Sequence, residues 1–131
     1  MNIIIISLLI LVILPVSCAW IAGYYRQKQF GSVDNKEPRV QSQQLSGPGA
    51  RAVAAQSNSW EALAVFSAAM LAVFIGGIDL DSIRMPVMIF TALRIAYIPA
   101  YITDLDKLRS LIFIGGYGIC IYLIYLALSA G

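Results

Sequence analysis

The sequence predicts an all-α integral membrane protein, a bundle of four membrane-spanning helices formed by a single domain of residues 1–131. Two observations predict this fold class. Hydrophobic residues make up 60% of the chain and charged residues 12%, whereas soluble domains average about 45–50% and about 25%. The apolar residues are also gathered into four stretches of about 20 residues, the length at which a helix crosses the hydrocarbon core of a bilayer.

The first stretch, MNIIIISLLILVILPVSCAW, has the length of a secretion signal but lacks the basic residues that open such signals. We therefore interpret it as a retained first helix. Polar segments separate it from the three later stretches. The predicted helices cover residues of about 3–25, 50–75, 85–102 and 108–129.

The basic residues predict how the bundle lies in the membrane. The second connection has only Arg84, beside two aspartates, and neither tail has a lysine or arginine. The basic residues of the first connection are Arg26, Lys28, Lys36 and Arg39, and those around the third are Lys107 and Arg109. Because cytoplasmic loops carry an excess of lysine and arginine, both termini are predicted to lie on the non-cytoplasmic side.

The first connection, residues 26–49, is polar and rich in glutamine, serine, glycine and proline. Segments of this composition bury too little apolar surface to offset the entropy lost on ordering. The sequence therefore predicts a cytoplasmic loop without a packed core of its own.

The composition argues against several classes of function. Histidine is absent, and the two cysteines, Cys18 and Cys120, lie inside apolar stretches. Neither a metal site nor a Cys–His nucleophile pair is therefore predicted. The net charge is only +2, and the charges are confined mainly to connections, so no nucleic-acid partner is expected.

The second and third predicted helices carry polar residues that lipid disfavours. Asn58 and Glu61 are three residues apart, a helical spacing that places them on one stripe with Arg51. The corresponding stripe of the third helix consists of Arg94, Tyr97 and Tyr101. Counted at about 1.5 Å per residue from the cytoplasmic ends, Asn58 lies about 12 Å deep, Glu61 about 16 Å and Arg94 about 13 Å.

An unpaired charge at this depth costs at least about 2.5–3.5 kcal/mol. We therefore predict that Glu61 and Arg94 lie near one another, within one chain or across a subunit interface. One interpretation is a structural ion pair that fixes helix packing. The other is a ligand-binding cleft that opens to the cytoplasm, which the additional polar residues on both stripes favour.

Such a cleft suits a small, anionic, peptide-like ligand. Glu61 offers a partner for an ammonium group, Arg94 or Arg51 for a carboxylate, and Asn58 for amide groups. The surrounding lipid would let an apolar second substrate arrive through the bilayer.

The stretches RAVAAQSNSWEALAVF and LRIAYIPAYITDLDKLRS resemble the MAPEG family, the membrane-associated proteins in eicosanoid and glutathione metabolism. The specific part of the resemblance is Asn-x-x-Glu in the second helix with Arg-x-x-Tyr-x-x-x-Tyr in the third. The four-span plan, the outward termini and RQKQF after the first helix also fit. The resemblance therefore covers most of the chain and points to the shorter bacterial members, which implies a bacterial inner membrane location.

The resemblance implies a lipid-embedded homotrimer with glutathione as co-substrate, bound between neighbouring subunits on the cytoplasmic side. Arg109 matches the arginine that stabilises the glutathione thiolate, which makes it the candidate catalytic residue. Lys28 stands where related enzymes have a basic residue at the end of helix one. The predicted glutathione-binding residues are Asn58, Glu61, Arg94, Tyr97, Tyr101, Arg51 and Lys28.

The chain departs from the family pattern at two positions. Ala54 stands where many active members carry an arginine, and Ala64 stands where a proline is frequent. The leading hypothesis is a glutathione-dependent transferase or peroxidase acting on lipophilic electrophiles. The alternatives are a non-catalytic MAPEG-like binding or scaffold protein and, from another class, a small proton-coupled exporter that uses a buried glutamate.

Overall fold

The computed structural model describes residues 2–130, and this part of the chain is helical, with short connections and no strands. Its helices are α1 (Asn2–Phe30), α2 (Pro38–Gln43), α3 (Gly47–Ile75), α4 (Arg84–Ile102) and α5 (Asp106–Ser129). All except the short α2 are long and apolar enough to cross a membrane. The predicted all-α bundle of four spanning helices is confirmed.

The outer surface of the four long helices is strongly apolar. Trp20, Phe74 and Leu128 each expose about three quarters of their surface, at 75%, 76% and 78%. An apolar surface of this extent is unfavourable in water, whereas the hydrocarbon of a bilayer accommodates it. The chain is therefore built as an integral membrane protein.

Helix α3 is the central element of the bundle. It packs against α1, α4 and α5, and α4 also contacts both α1 and α5. The largest apolar cluster joins all four long helices and includes Leu11, Phe66, Phe90 and Leu123. The rings of Phe66 and Phe90 stack with centroids 4.7 Å apart and planes at 11°. This cluster holds together the end of the bundle that carries the two termini.

Small residues let the helices approach closely. The fully buried alanines of α3 are Ala52, Ala55 and Ala69. Gly76, at the end of α3, lies directly against the backbone of α5, because a Cβ added there would be 2.9 Å from the carbonyl oxygen of Ala127. In lipid no hydrophobic driving force acts between helices. Small faces of this kind allow the close van der Waals packing that holds membrane helices together instead.

The prediction of one long loop over residues 26–49 is wrong. Helix α1 continues to Phe30, α2 covers Pro38–Gln43, and α3 begins at Gly47. Leu45, between α2 and α3, is 7% exposed and packs in a small cluster with Ala22 and Ala52. The two later spans begin only one and two residues before their predicted positions, at Arg84 and Asp106.

The polar side chains that suggested an unstructured loop are the groups that order it. The Gln41 side chain accepts from the Asp34 backbone N–H at 2.9 Å and donates to the Ser32 carbonyl at 2.9 Å. The Gln29 side-chain oxygen accepts from the Ser46 backbone N–H at 3.2 Å. A glutamine amide can donate and accept at once, so these residues replace the hydrogen bonds that a regular helix would supply.

We expect Gly76→Ala to lower the thermal stability of the detergent-solubilised protein by the equivalent of about 1–3 kcal/mol, the usual cost of overpacking. The added Cβ would meet backbone atoms of α5 at 2.9 and 3.0 Å, and backbone cannot move aside as a flexible side chain can. The matched control is Gly118→Ala, whose Cβ would have no neighbour within 4 Å. Equal melting temperatures for the two variants would contradict the close approach of α3 and α5.

Candidate functional site

Arg94 of α4 is buried inside the bundle, with 2% of its surface exposed. Its Nη2 donates a hydrogen bond of 2.9 Å to Oδ1 of Asn58 on α3. Its guanidinium carbon lies 4.1 Å from the ring centroid of Tyr97. Its Nε is buried without a hydrogen-bond partner among residues 2–130. Burying a charge is costly unless it is paired, so the chain compensates this cation only in part.

Two tyrosines connect Arg94 to a second arginine near the end of the bundle. The rings of Tyr97 and Tyr101 meet edge to face, with centroids 5.6 Å apart and planes at 73°. The guanidinium carbon of Arg109, on α5, lies 4.2 Å from the Tyr101 ring centroid. We call Arg94, Tyr97, Tyr101 and Arg109 the arginine–tyrosine array. Cation–π contacts at both ends fix the orientation of its guanidinium groups.

Glu61 lies on an exposed side of α3 in the middle of a membrane-spanning helix. It lines the same cavity as Arg94. The hydrogen bond of Arg94, however, goes to Asn58, and residues 2–130 contain no ion pair between Glu61 and Arg94. At about 1.5 Å of rise per residue, Asn58 is the group closer to the level of Arg94.

The other two predicted ligand-binding residues have partners of their own. The Nε of Arg51 donates to the carbonyl oxygen of Ile102 at 2.8 Å, one of the terminal carbonyls that a helix leaves unsatisfied. Arg51 therefore ties the beginning of α3 to the end of α4. Lys28, in the last turn of α1, is exposed, and its ammonium nitrogen lies 6.0 Å from the Tyr24 ring centroid.

Two spaces adjoin the array. A cavity of about 100 Å³, called here the inner cavity, lies between α3, α4 and α5 and is lined by Glu61, Arg94 and apolar side chains. An open recess of about 300 Å³, called here the outer recess, is lined by Tyr97 and Arg109. Phe113 of α5 lines both spaces.

The contribution of α5 to the inner cavity was not predicted from the sequence. The α5 residues on its wall are Phe113, Gly116, Tyr117 and Cys120. Their spacings of three, four and seven place them on one face of a helix. This periodicity is visible in the sequence, but an all-apolar spanning helix has several such faces, and nothing local identifies which one meets a cavity.

Four membrane-length helices around an intramembrane polar site define a multi-pass membrane protein of the helix-bundle class. Within that class, the family model described as MAPEG family matches residues 3–129, nearly the whole chain, so the chain belongs to the MAPEG family. The predicted membership of the MAPEG family is thereby confirmed. Comparisons with curated proteins and with solved structures give no match.

We expect Asn58→Leu to lower the free energy of unfolding by about 1–3 kcal/mol, because it removes the hydrogen-bond acceptor of a buried cation. In the double variant, Asn58→Leu with Arg94→Leu, the cation is gone and part of this loss should be recovered. Thermal unfolding in one detergent measures all three proteins. A double variant less stable than Asn58→Leu alone would mean that the stability of this region does not depend on the Asn58–Arg94 contact.

Proposed function

We propose that the protein is a glutathione-dependent membrane transferase or peroxidase that acts on lipophilic electrophiles. The observation that carries this proposal is the arginine–tyrosine array, which runs from the buried Arg94 beside Asn58 to Arg109 at the outer recess. The family includes glutathione transferases and peroxidases as well as non-catalytic members.

Glutathione offers groups that match the polar residues around the array. Its ammonium group is a partner for the Glu61 carboxylate, which is exposed on the subunit in the middle of a spanning helix. A charge in that position is strongly disfavoured in lipid, and the ammonium group would compensate it together with Arg94, which lines the same cavity. The peptide groups of glutathione suit Asn58 and the tyrosines, and its carboxylates suit the arginines.

Arg109 is proposed to stabilise the reacting thiolate. Its guanidinium is held on the Tyr101 ring and lines the outer recess. A cation at this place favours the thiolate over the thiol, and the thiolate is the nucleophile. In a transferase reaction its sulfur bonds to an electrophilic carbon as the leaving group departs. In a peroxidase reaction it attacks a hydroperoxide oxygen, the O–O bond breaks, and a second glutathione converts the sulfenic acid to a disulfide.

The active assembly is proposed to be a homotrimer in a bacterial inner membrane, with both termini on the non-cytoplasmic side. The family is typically trimeric. The exposed position of Glu61 supports this proposal, because a neighbouring subunit would enclose the carboxylate away from lipid.

A second candidate function is non-catalytic binding within the same family. It is favoured by Ala54, at the position of an arginine in many active members, and by the engagement of Arg51 with the Ile102 carbonyl. Arg51 is the arginine nearest to Ala54 on α3, and its Nε joins α3 to α4.

Glutathione should raise the melting temperature of the purified protein, and Glu61→Gln should remove at least about half of this shift. At about 100 times Kd, ligand binding contributes about 2.7 kcal/mol of stability, and loss of a charge-assisted hydrogen bond weakens affinity about tenfold or more. The control is Glu37→Gln, an exposed acid outside the site. Absence of a shift in the wild-type protein at millimolar glutathione would refute glutathione binding.

Arg109→Gln is expected to lower kcat by about 10²–10³-fold, the usual loss when one group that stabilises a developing anion is removed. The glutathione-dependent thermal shift should largely remain, which separates catalysis from binding. Ultraviolet absorbance of the bound thiolate, with Arg84→Gln as control, measures the effect directly. Unchanged thiolate absorbance in Arg109→Gln would exclude Arg109 from thiolate stabilisation, and binding without turnover in the wild type would favour the non-catalytic candidate.

A further inference from the structure

The inner cavity is a second, chemically different space beside the array. Glu61 and Arg94 line it beside the array. The rest of its wall includes Val65, Phe90, Phe113, Gly116, Tyr117 and Cys120, so most of its surface is apolar. Apolar cavities of this kind stay dry and take up apolar molecules, and an engineered cavity of about 150 Å³ in another protein binds benzene. The inner cavity, at about 100 Å³, is smaller than that one, so it takes at most one aromatic ring or a short alkyl arm.

Phe113 separates this cavity from the outer recess. Its side chain lines both spaces, it is 42% exposed, and its ring stacks on Tyr117 with centroids 6.0 Å apart. Phe113 therefore lies at the boundary between the cavity and the space that Arg109 lines. At this boundary, the Phe113 ring is placed to limit the width of a compound that extends from the inner cavity into the outer recess.

Gly116 limits the depth of the cavity. A Cβ added there would lie 3.5 Å from the Phe90 ring, an ordinary van der Waals contact, so a methyl group fits while taking up cavity space. Arg109 and Gly116 are seven residues apart on α5, about 10 Å along the helix axis. A compound spanning both positions is about the length of one ring with a short reactive arm.

We infer that the inner cavity binds the apolar end of the electrophilic substrate and that Phe113 and Gly116 set the width and length of the compounds that reach Arg109. This inference rests on the proposed glutathione-dependent reaction. It restricts the second substrate to slender lipophilic molecules, such as a benzyl group that carries its leaving group on the outer carbon. A broad polycyclic electrophile does not fit the cavity.

The binding test uses iodobenzene without glutathione, so it does not depend on catalysis. Iodobenzene should stabilise the wild-type protein and Gly118→Ala against thermal unfolding. Gly116→Ala should need about ten times more iodobenzene, or still more, for the same stabilisation, because one methyl group in an apolar pocket changes affinity by about tenfold or more. Both glycines lie on α5, but a Cβ at Gly118 would have no neighbour within 4 Å. Equal stabilisation of both variants would place iodobenzene outside the cavity and overturn the inference.

The turnover test compares benzyl chloride with 1-(chloromethyl)pyrene as electrophiles for glutathione. Gly116→Ala should reduce kcat/KM for benzyl chloride about tenfold and leave the glutathione-dependent thermal shift unchanged. Phe113→Ala should raise the ratio of pyrene to benzyl turnover, whereas Gly118→Ala should leave this ratio as in the wild type. Ratios that do not change in Phe113→Ala and Gly116→Ala would overturn the role of these residues. Specific binding of iodobenzene without any turnover would instead refute the proposed function and leave the cavity as a ligand site.

Discussion

The buried cation of Arg94 is the constraint on which the rest of the site depends. A guanidinium in the interior of a membrane bundle costs at least about 2.5–3.5 kcal/mol unless protein groups compensate it. Arg94 donates a hydrogen bond to Oδ1 of Asn58 on α3 and lies against the aromatic face of Tyr97 on α4. Because these groups come from different helices, compensation of the charge also fixes how α3 and α4 face one another.

The bundle divides into two ends with different physical characters. Stacked Phe66 and Phe90, with Leu11 and Leu123, fill the end near the termini with apolar contacts. The opposite end holds the arginine–tyrosine array and the glutamine-linked connection around α2. The closely packed apolar end resists deformation. It therefore holds the helices in place, and with them the polar groups at the opposite end. The inner cavity lies where these two regions meet, with a hydrophobic wall beside the array.

The exposure of Glu61 is the observation behind the proposed assembly. Arg94 is buried against Asn58 and Tyr97, whereas Glu61, which lines the same cavity, is exposed. An exposed carboxylate in the middle of a spanning helix is disfavoured by lipid. A bound ligand and a neighbouring subunit are each proposed to shield this carboxylate from lipid.

The sequence by itself determined the four spans and the polar residues between them, because span length and the cost of intramembrane charge are local properties. Tertiary structure decided which partners those residues take: Asn58 for Arg94, the Ile102 carbonyl for Arg51, and Gln41 as the organiser of the first connection. It also decided which face of α5 closes the inner cavity. Helical periodicity determines which residues share a stripe. Packing determines how each helix is rotated and where its side chains reach, and these determine which atoms meet.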